Sequence, residues 1–200
     1  MDRLTFDEAT HTYRLDNIMV PSVTQILKPL TSEELAGVDP EILAKAGRLG
    51  TAVHQMTALH DQGDLDVEEL HEALVPYLSA WISFKKQAGF KSECIEQMCW
   101  SDKYRYAGTV DRVGFIGNDC VLLDIKTGTK VPDSIGVQLA AYAMAWNESM
   151  IPKIKKRLSV QLKGDGKYRM DWWTQKDDWN VFLALLQIKN WKISRRTKYW

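Results

Sequence analysis

Residues 106–128 read YAGTVDRVGFIGNDCVLLDIKTG. Two apolar-rich runs flank the turn-forming stretch Gly117–Asp119, so the sequence predicts two adjacent strands. Asp111 ends AGTVD on the first. Asp124 and Lys126 end the second, and their alternate spacing puts both on one face. The preceding CVLL is a continuous apolar run, as in a central strand covered on both sides. Charges at the end of such a strand are costly unless paired or metal-bound. The pattern D-x-K alone is weak: Asp165-Gly-Lys167 also fits it, but in a glycine turn that needs no chemistry. Context separates the two.

The surrounding chain supplies the elements. LTFDEATHTYRLDNIMV alternates loosely about Asp16-Asn17 and predicts a hairpin. Ser22 and Gln25 form a capping box that opens a short helix, with Pro29 read as its end and TSEELAGVDP as a loop. PEILAKAGRLGTAVHQMTALHDQG predicts a helix from Pro40 to Gly63. DVEELHEALVPYLSAWISFKKQAGF predicts a second, with one apolar stripe (Leu70, Leu74, Leu78, Trp81, Phe84) and Gly89 as its cap. A strand through Glu96 precedes the opening stretch. Ser134–Asn147 predicts a helix, Arg157–Thr174 a hairpin turning at Gly164–Gly166, and a closing helix follows Asp177 and Asp178. This order gives an α/β (α+β) fold with a mixed central sheet flanked by helices, in one domain over 1–200.

Composition excludes other classes. Apolar content of 45% suits a globular core, and no apolar run reaches the ~18 residues of a membrane span. The acidic N-terminus has no apolar signal region, and three cysteines in no C-x-x-C pair suit a reducing compartment, so a cytoplasmic location is expected. Net charge is zero but uneven: residues 153–200 carry thirteen Lys/Arg against four Asp/Glu, the marks of a polyanion-facing surface.

Carboxylates from adjacent strands can converge on a hard cation such as Mg²⁺, which prefers a few carboxylates plus water and phosphate oxygens. Asp111 and Asp124 are such a pair, with Glu96 one strand earlier as a further candidate. Phosphodiester hydrolysis uses this set, and a neighbouring lysine can orient the water and offset transition-state charge. His54 lies on the first long helix, one turn after Gly50, which would let that helix approach the sheet. Gln138 and Tyr142 share a helix face at i, i+4.

These motifs resemble the RecB-type branch of the PD-(D/E)XK nuclease superfamily. Its G-x-x-x-H, G-T-V-D, D-x-K-T-G and Q-x-x-x-Y occur in order at Gly50–His54, Gly108–Asp111, Asp124–Gly128 and Gln138–Tyr142. The stretch from H-x-Y to PSVTQIL is similar to small phage-encoded exonucleases. The resemblance spans about residues 6–163 and implies a restriction-endonuclease-like core. It implies Mg²⁺ or Mn²⁺ held by Asp111, Asp124, the Ile125 carbonyl and His54, with Glu96 at a frequently acidic position; an imidazole ligand favours Mn²⁺. Lys126 would serve the nucleophilic water, and Gln138 and Tyr142 would brace Lys126 or contact DNA. Relatives with an iron–sulfur cluster carry four cysteines; Cys94, Cys99 and Cys120 argue against one. No G-x-x-x-x-G-K-[ST] occurs, so no nucleotide cofactor is expected.

The expected organisation is an N-terminal hairpin (1–30), a catalytic core (about 40–163) and a basic C-terminal hairpin and helix (153–200). Trp172, Trp173, Trp179, Trp191 and Trp200 crowd that last segment. Trp173 is a candidate for base stacking, while Ser22, Thr24, Arg48, Lys130 and Tyr142 are candidate DNA contacts. The expected function is a metal-dependent deoxyribonuclease, an exonuclease on single-stranded or end-exposed DNA in recombination, repair or phage DNA processing. The alternatives are a structure-specific endonuclease and a non-catalytic DNA-binding recombination accessory protein. DNA is the expected partner, with a recombinase or single-strand-binding protein as a further candidate and no membrane.

Overall fold

The computed structural model describes residues 3–196, so Trp200 lies outside the described residues. Three short strands open the chain: β1 (Leu4–Asp7), β2 (Thr12–Leu15) and β3 (Ile18–Val20). Then come α1 (Val23–Glu34), α2 (Pro40–Gln62), a single 3-10 turn at Glu72–Leu74, and α3 (Val75–Ala88). The central elements are β4 (Phe90–Ser101), β5 (Tyr106–Ile116), β6 (Asp119–Lys126) and α4 (Ser134–Ser149). The chain closes with β7 (Lys156–Leu162), β8 (Tyr168–Trp172) and α5 (Asp178–Arg196).

Strands β4 to β8 form one five-stranded sheet in sequence order. All neighbours are antiparallel except β6 and β7, which run parallel and therefore need α4 as a crossover. Successive residues of β6 serve opposite cores. Leu122 packs with α1, α4 and α5 through Val23, Ile26, Leu139 and Phe182. Val121, Leu123 and Ile125 pack with α2 and α3 through Val53, Met56, Trp81 and Phe84. The central strand is thus covered on both faces, as its apolar run predicts. Among the described residues no helix is long and apolar enough to cross a membrane.

The local signals explain most boundaries. Gly63 and Gly89 end α2 and α3 in the left-handed conformation, at φ 82° and 66°. At α1, Ser22 Oγ accepts from the Gln25 amide at 3.1 Å, and Gln25 Oε1 accepts from the Ser22 amide at 3.3 Å.

Three expectations are corrected. The hairpin at Asp16-Asn17 pairs β2 with β3 as expected, but its first arm turns back on itself between Asp7 and Thr12, so a further strand, β1, pairs with β2. Pro29 does not end α1; the helix continues to Glu34 through residues expected to be loop. An interior proline costs about 3 kcal/mol in a free helix. Burial of Val23, Ile26 and Leu27 offsets that cost, as does Glu34, whose carboxylate accepts from the Ser134 amide and hydroxyl at the start of α4. The helix expected from about Asp66 begins only at Val75, because the Pro76 ring stops a regular helix from running through it. Leu70 and Leu74 nevertheless pack against the same core as Leu78 and Trp81.

Candidate active site

The β5–β6 ladder stops short. Its last pair is Arg112 with Leu123, although β5 extends back to Tyr106 and β6 onward to Lys126. Beyond that pair the Asp111 side chain replaces the missing strand partner: its Oδ2 accepts from the Ile125 amide at 2.7 Å. The sheet therefore forks at Asp111, with β5 staying with β4 and β6 with β7. The N-terminal segment fills the fork. Ser22 bridges Ala107, and the Tyr13 hydroxyl lies 2.8 Å from Thr109 Oγ1. What remains open is a cleft of about 820 Å³.

The cleft is lined by His54, Glu96, Asp111, Asp124, Lys126, Gln138 and Tyr142, together with Ser22 and Thr24. Lys126 Nζ lies 2.7 Å from Asp124 Oδ2, and Gln138 Nε2 donates to Asp124 Oδ1 at 3.1 Å. His54 Nε2 lies 3.0 Å from the Ile125 carbonyl oxygen. Its Nδ1 faces Asp111 at 3.6 Å and Glu96 at 3.7 Å. Ligand atoms of His54, Glu96 and Asp111 lie within 4.8 Å of one another.

Electrostatics follow from three carboxylates in one partly buried site. Burial opposes a charge on His54, but Asp111, Glu96 and Asp124 outweigh it and raise the imidazole to about 9. Burial likewise opposes a charge on Lys126, and Asp124 and Asp111 more than reverse this, holding it above the usual amine range as an ammonium. Burial pushes the Asp124 carboxyl up, against the pull of Lys126.

Arg48 and Lys130 are exposed and lie outside the cleft lining. Trp173 also lies outside it: its indole donates to Ser159 Oγ at 2.9 Å and its ring packs against Gly136. Trp172, its neighbour on the other face, is the exposed one. Gln138 braces Asp124 and not Lys126. Tyr142 packs against Gly108, where a β-carbon would sit 2.5 Å from the tyrosine ring. Gly108→Ala should therefore displace the Tyr142 ring and destabilise the fold by about 1–3 kcal/mol, measured by urea unfolding.

Sequence reasoning missed several lining residues, including Glu8 and His11 from the β1–β2 turn. It also missed Arg112 and Asp61, both with fully buried side chains, which form an ion pair behind the site at 2.8 Å. A signal existed for Arg112: a charged residue between apolar positions of a strand buried on both faces. A second cleft, of about 640 Å³ between the β4–β5 turn and α5, is lined by no acidic residue.

A crystal structure from Eubacterium rectale, of a protein named a putative exonuclease, matches this one with a TM-score of 0.52 and 11% identity. The two chains share a fold. The match covers 73% of this chain and 66% of that one, so this chain spans just under two thirds of that protein's length. An alkaline exonuclease from Laribacter hongkongensis matches over 88% of this chain and 92% of its own, at a TM-score of 0.42 and 11% identity. No protein-family model matches the sequence, and no curated protein does. The mixed sheet flanked by helices is the fold class expected from the sequence.

The donor set fits a hard divalent cation. It offers carboxylate oxygens, a backbone carbonyl and, once a cation displaces its proton, one imidazole nitrogen, the chemistry that suits Mg²⁺ and Mn²⁺. Asp124 Oδ2 is fully buried, with the Lys126 ammonium 2.7 Å away as its ion-pair partner. The expected ligand set is only partly gathered: His54, Glu96 and Asp111 converge, while Asp124 turns to Lys126 and Gln138.

Proposed function

We propose that this chain is a metal-dependent deoxyribonuclease of the PD-(D/E)XK type, in its RecB-like branch. It would act as an exonuclease on single-stranded or end-exposed DNA. The observation that carries this reading is the convergence of Asp111, Asp124, Glu96, Lys126 and His54 on one cleft at a forked sheet. The fold shared with the Eubacterium rectale protein, which is named for exonuclease activity, supports it.

Asp111, Asp124, Glu96, His54 and the Ile125 carbonyl would hold Mg²⁺ or Mn²⁺. Such an ion, when bound, supplies Lewis-acid polarisation of a phosphoryl oxygen and a water of lowered pKa. The side chains do the rest. An ammonium has three donors and no acceptor, so Lys126 steers a water by its lone pair but takes no proton from it. Its charge also stabilises the negative charge that develops on the phosphoryl oxygens. Gln138 fixes the orientation of Asp124. Burial keeps the Tyr142 phenol protonated, and Ser22 and Thr24 offer hydroxyls to phosphates from another wall of the cleft.

The test is a gel assay on end-labelled linear and circular DNA with Mg²⁺, Mn²⁺ or EDTA. Linear DNA should be degraded with either metal and spared with EDTA, and circular single strands should survive. Cleavage of circles would make the protein an endonuclease. DNA binding without turnover in either metal would remove the nuclease reading.

A further inference from the structure

The buried guanidinium behind the site reaches the Glu96 carboxylate and the Asp111 backbone directly, and the His54 backbone through Thr57. Arg112 Nη1 donates to Glu96 Oε1 at 3.2 Å and to the Asp111 carbonyl at 2.6 Å. Its Nη2 donates to Thr57 Oγ1 at 3.1 Å, and that hydroxyl donates to the His54 carbonyl at 3.0 Å. Its Nε donates to Asp61 Oδ2 at 2.8 Å. Asp61 is itself held by Trp81 Nε1 at 3.0 Å, by Ser92 Oγ at 3.0 Å and by Lys85. The Arg112 side chain has 0% exposure, and a buried charge of that kind persists only when fully paired.

Glu96 is the member that needs holding. Its side chain is 40% exposed, and its backbone sits at φ 46°, left-handed in the middle of β4. A β-bulge between Ser92 and Cys94 distorts the same strand just before it. A solvent-facing glutamate left to itself samples several rotamers, and ordering it costs conformational entropy. A planar, always-charged fork anchored at its far end removes that freedom before any ligand arrives.

We propose that Arg112, pinned by Asp61, is a positioning residue that holds the Glu96 carboxylate at the cation site. This rests on the nuclease reading for the identity of the cation, not for the geometry. Arg112 acts through Glu96 and touches no reacting group.

The experiment is calorimetric titration of the metal-free protein with Mn²⁺, on wild type, Arg112→Lys, Glu96→Gln and the double variant. Far-UV circular dichroism confirms that each is folded. Lysine keeps the charge opposite Asp61 but cannot also reach Glu96. Arg112→Lys should weaken Mn²⁺ binding roughly ten-fold or more, the usual effect of losing a partner that orients a ligand. Glu96→Gln should weaken it at least as much, and the double variant should be no weaker than Glu96→Gln alone. If Arg112→Lys does not fold, the neutral pair Asp61→Asn with Arg112→Gln replaces it, with the same loss expected. Wild-type affinity in a folded Arg112 variant, or losses that simply add, overturns the positioning role and leaves the nuclease reading standing. Failure of wild type to bind Mn²⁺ overturns both.

Discussion

Asp124→Ala and Lys126→Ala are each expected to leave a folded protein whose DNA hydrolysis is lowered by roughly three orders of magnitude. The two side chains meet at 2.7 Å at the end of the central strand, but neither is needed to close the core around it. Asp124→Ala removes the buried anionic oxygen, and Lys126, whose side chain is 27% exposed, can then reach solvent. Lys126→Ala leaves a carboxyl that burial already pushes toward its neutral form, so the fold tolerates the loss. The activity cost would be large because, in the proposed mechanism, both groups act on charge that develops during reaction. A metal's contribution to transition-state charge is several kcal/mol, and about 1.4 kcal/mol is a factor of ten in rate. Single-turnover cleavage of labelled DNA, with circular dichroism as the folding control, measures it. Rates within ten-fold of wild type in both variants would sink the assignment of the site.

The largest stability effect is expected at Asp61. Its side chain is fully buried and accepts from Arg112, Lys85, Trp81 and Ser92, tying α2, α3, β4 and β5 together. Asp61→Asn keeps the shape but takes away the buried partner of Arg112 and leaves only the half-exposed Glu96 to offset its charge, at a cost of about 3 kcal/mol or more. For a chain of this size the melting temperature should fall by roughly 10 °C. Burial pushes the Asp61 carboxyl up, but hydrogen bonds from Lys85, Arg112 and Trp81 outweigh it, so its pKa is lowered from 3.8. A carboxylate lowered on folding contributes stability that is complete above its unfolded value and lost as pH falls through the folded one. The gap between wild type and Asp61→Asn should therefore be full at neutral pH and narrow in acid below about 4. Thermal melts across that range check it; equal melting temperatures at pH 7 would show that the network adds nothing.

Local rules carried the fold a long way. The apolar-rich runs flanking the Gly117–Asp119 turn, CVLL among them, and the glycines at 63 and 89 locate β5, β6 and two helix ends, because each depends on residues within a turn or two. Pro29 and residues 66–71 were misread. Pro29 sits in a helix held together by packing against distant elements, and the start at Val75 was missed because an apolar stripe running through residues 70–84 outweighed the nearby Pro76. The site divides in the same way. Asp111, Asp124 and Lys126 lie on one hairpin and are legible together. His54 reaches the Ile125 carbonyl across 71 residues, and only its spacing from Gly50 marked it. The Arg112–Asp61 pair, 51 residues apart, left no periodic trace beyond a charge where an apolar side chain was due.

The left-handed backbone at Glu96 bears on how this protein should be engineered. A non-glycine residue in such a conformation costs about 1–3 kcal/mol, which glycine would recover in part. A variant library ranked only by melting temperature would therefore enrich glycine at position 96. It would discard a carboxylate of the cleft, and with it the second ion-pair partner of Arg112, in exchange for a relaxed backbone. Screens for robustness in this scaffold have to be paired with a readout of cation binding, or they select against the carboxylate that the proposed site needs.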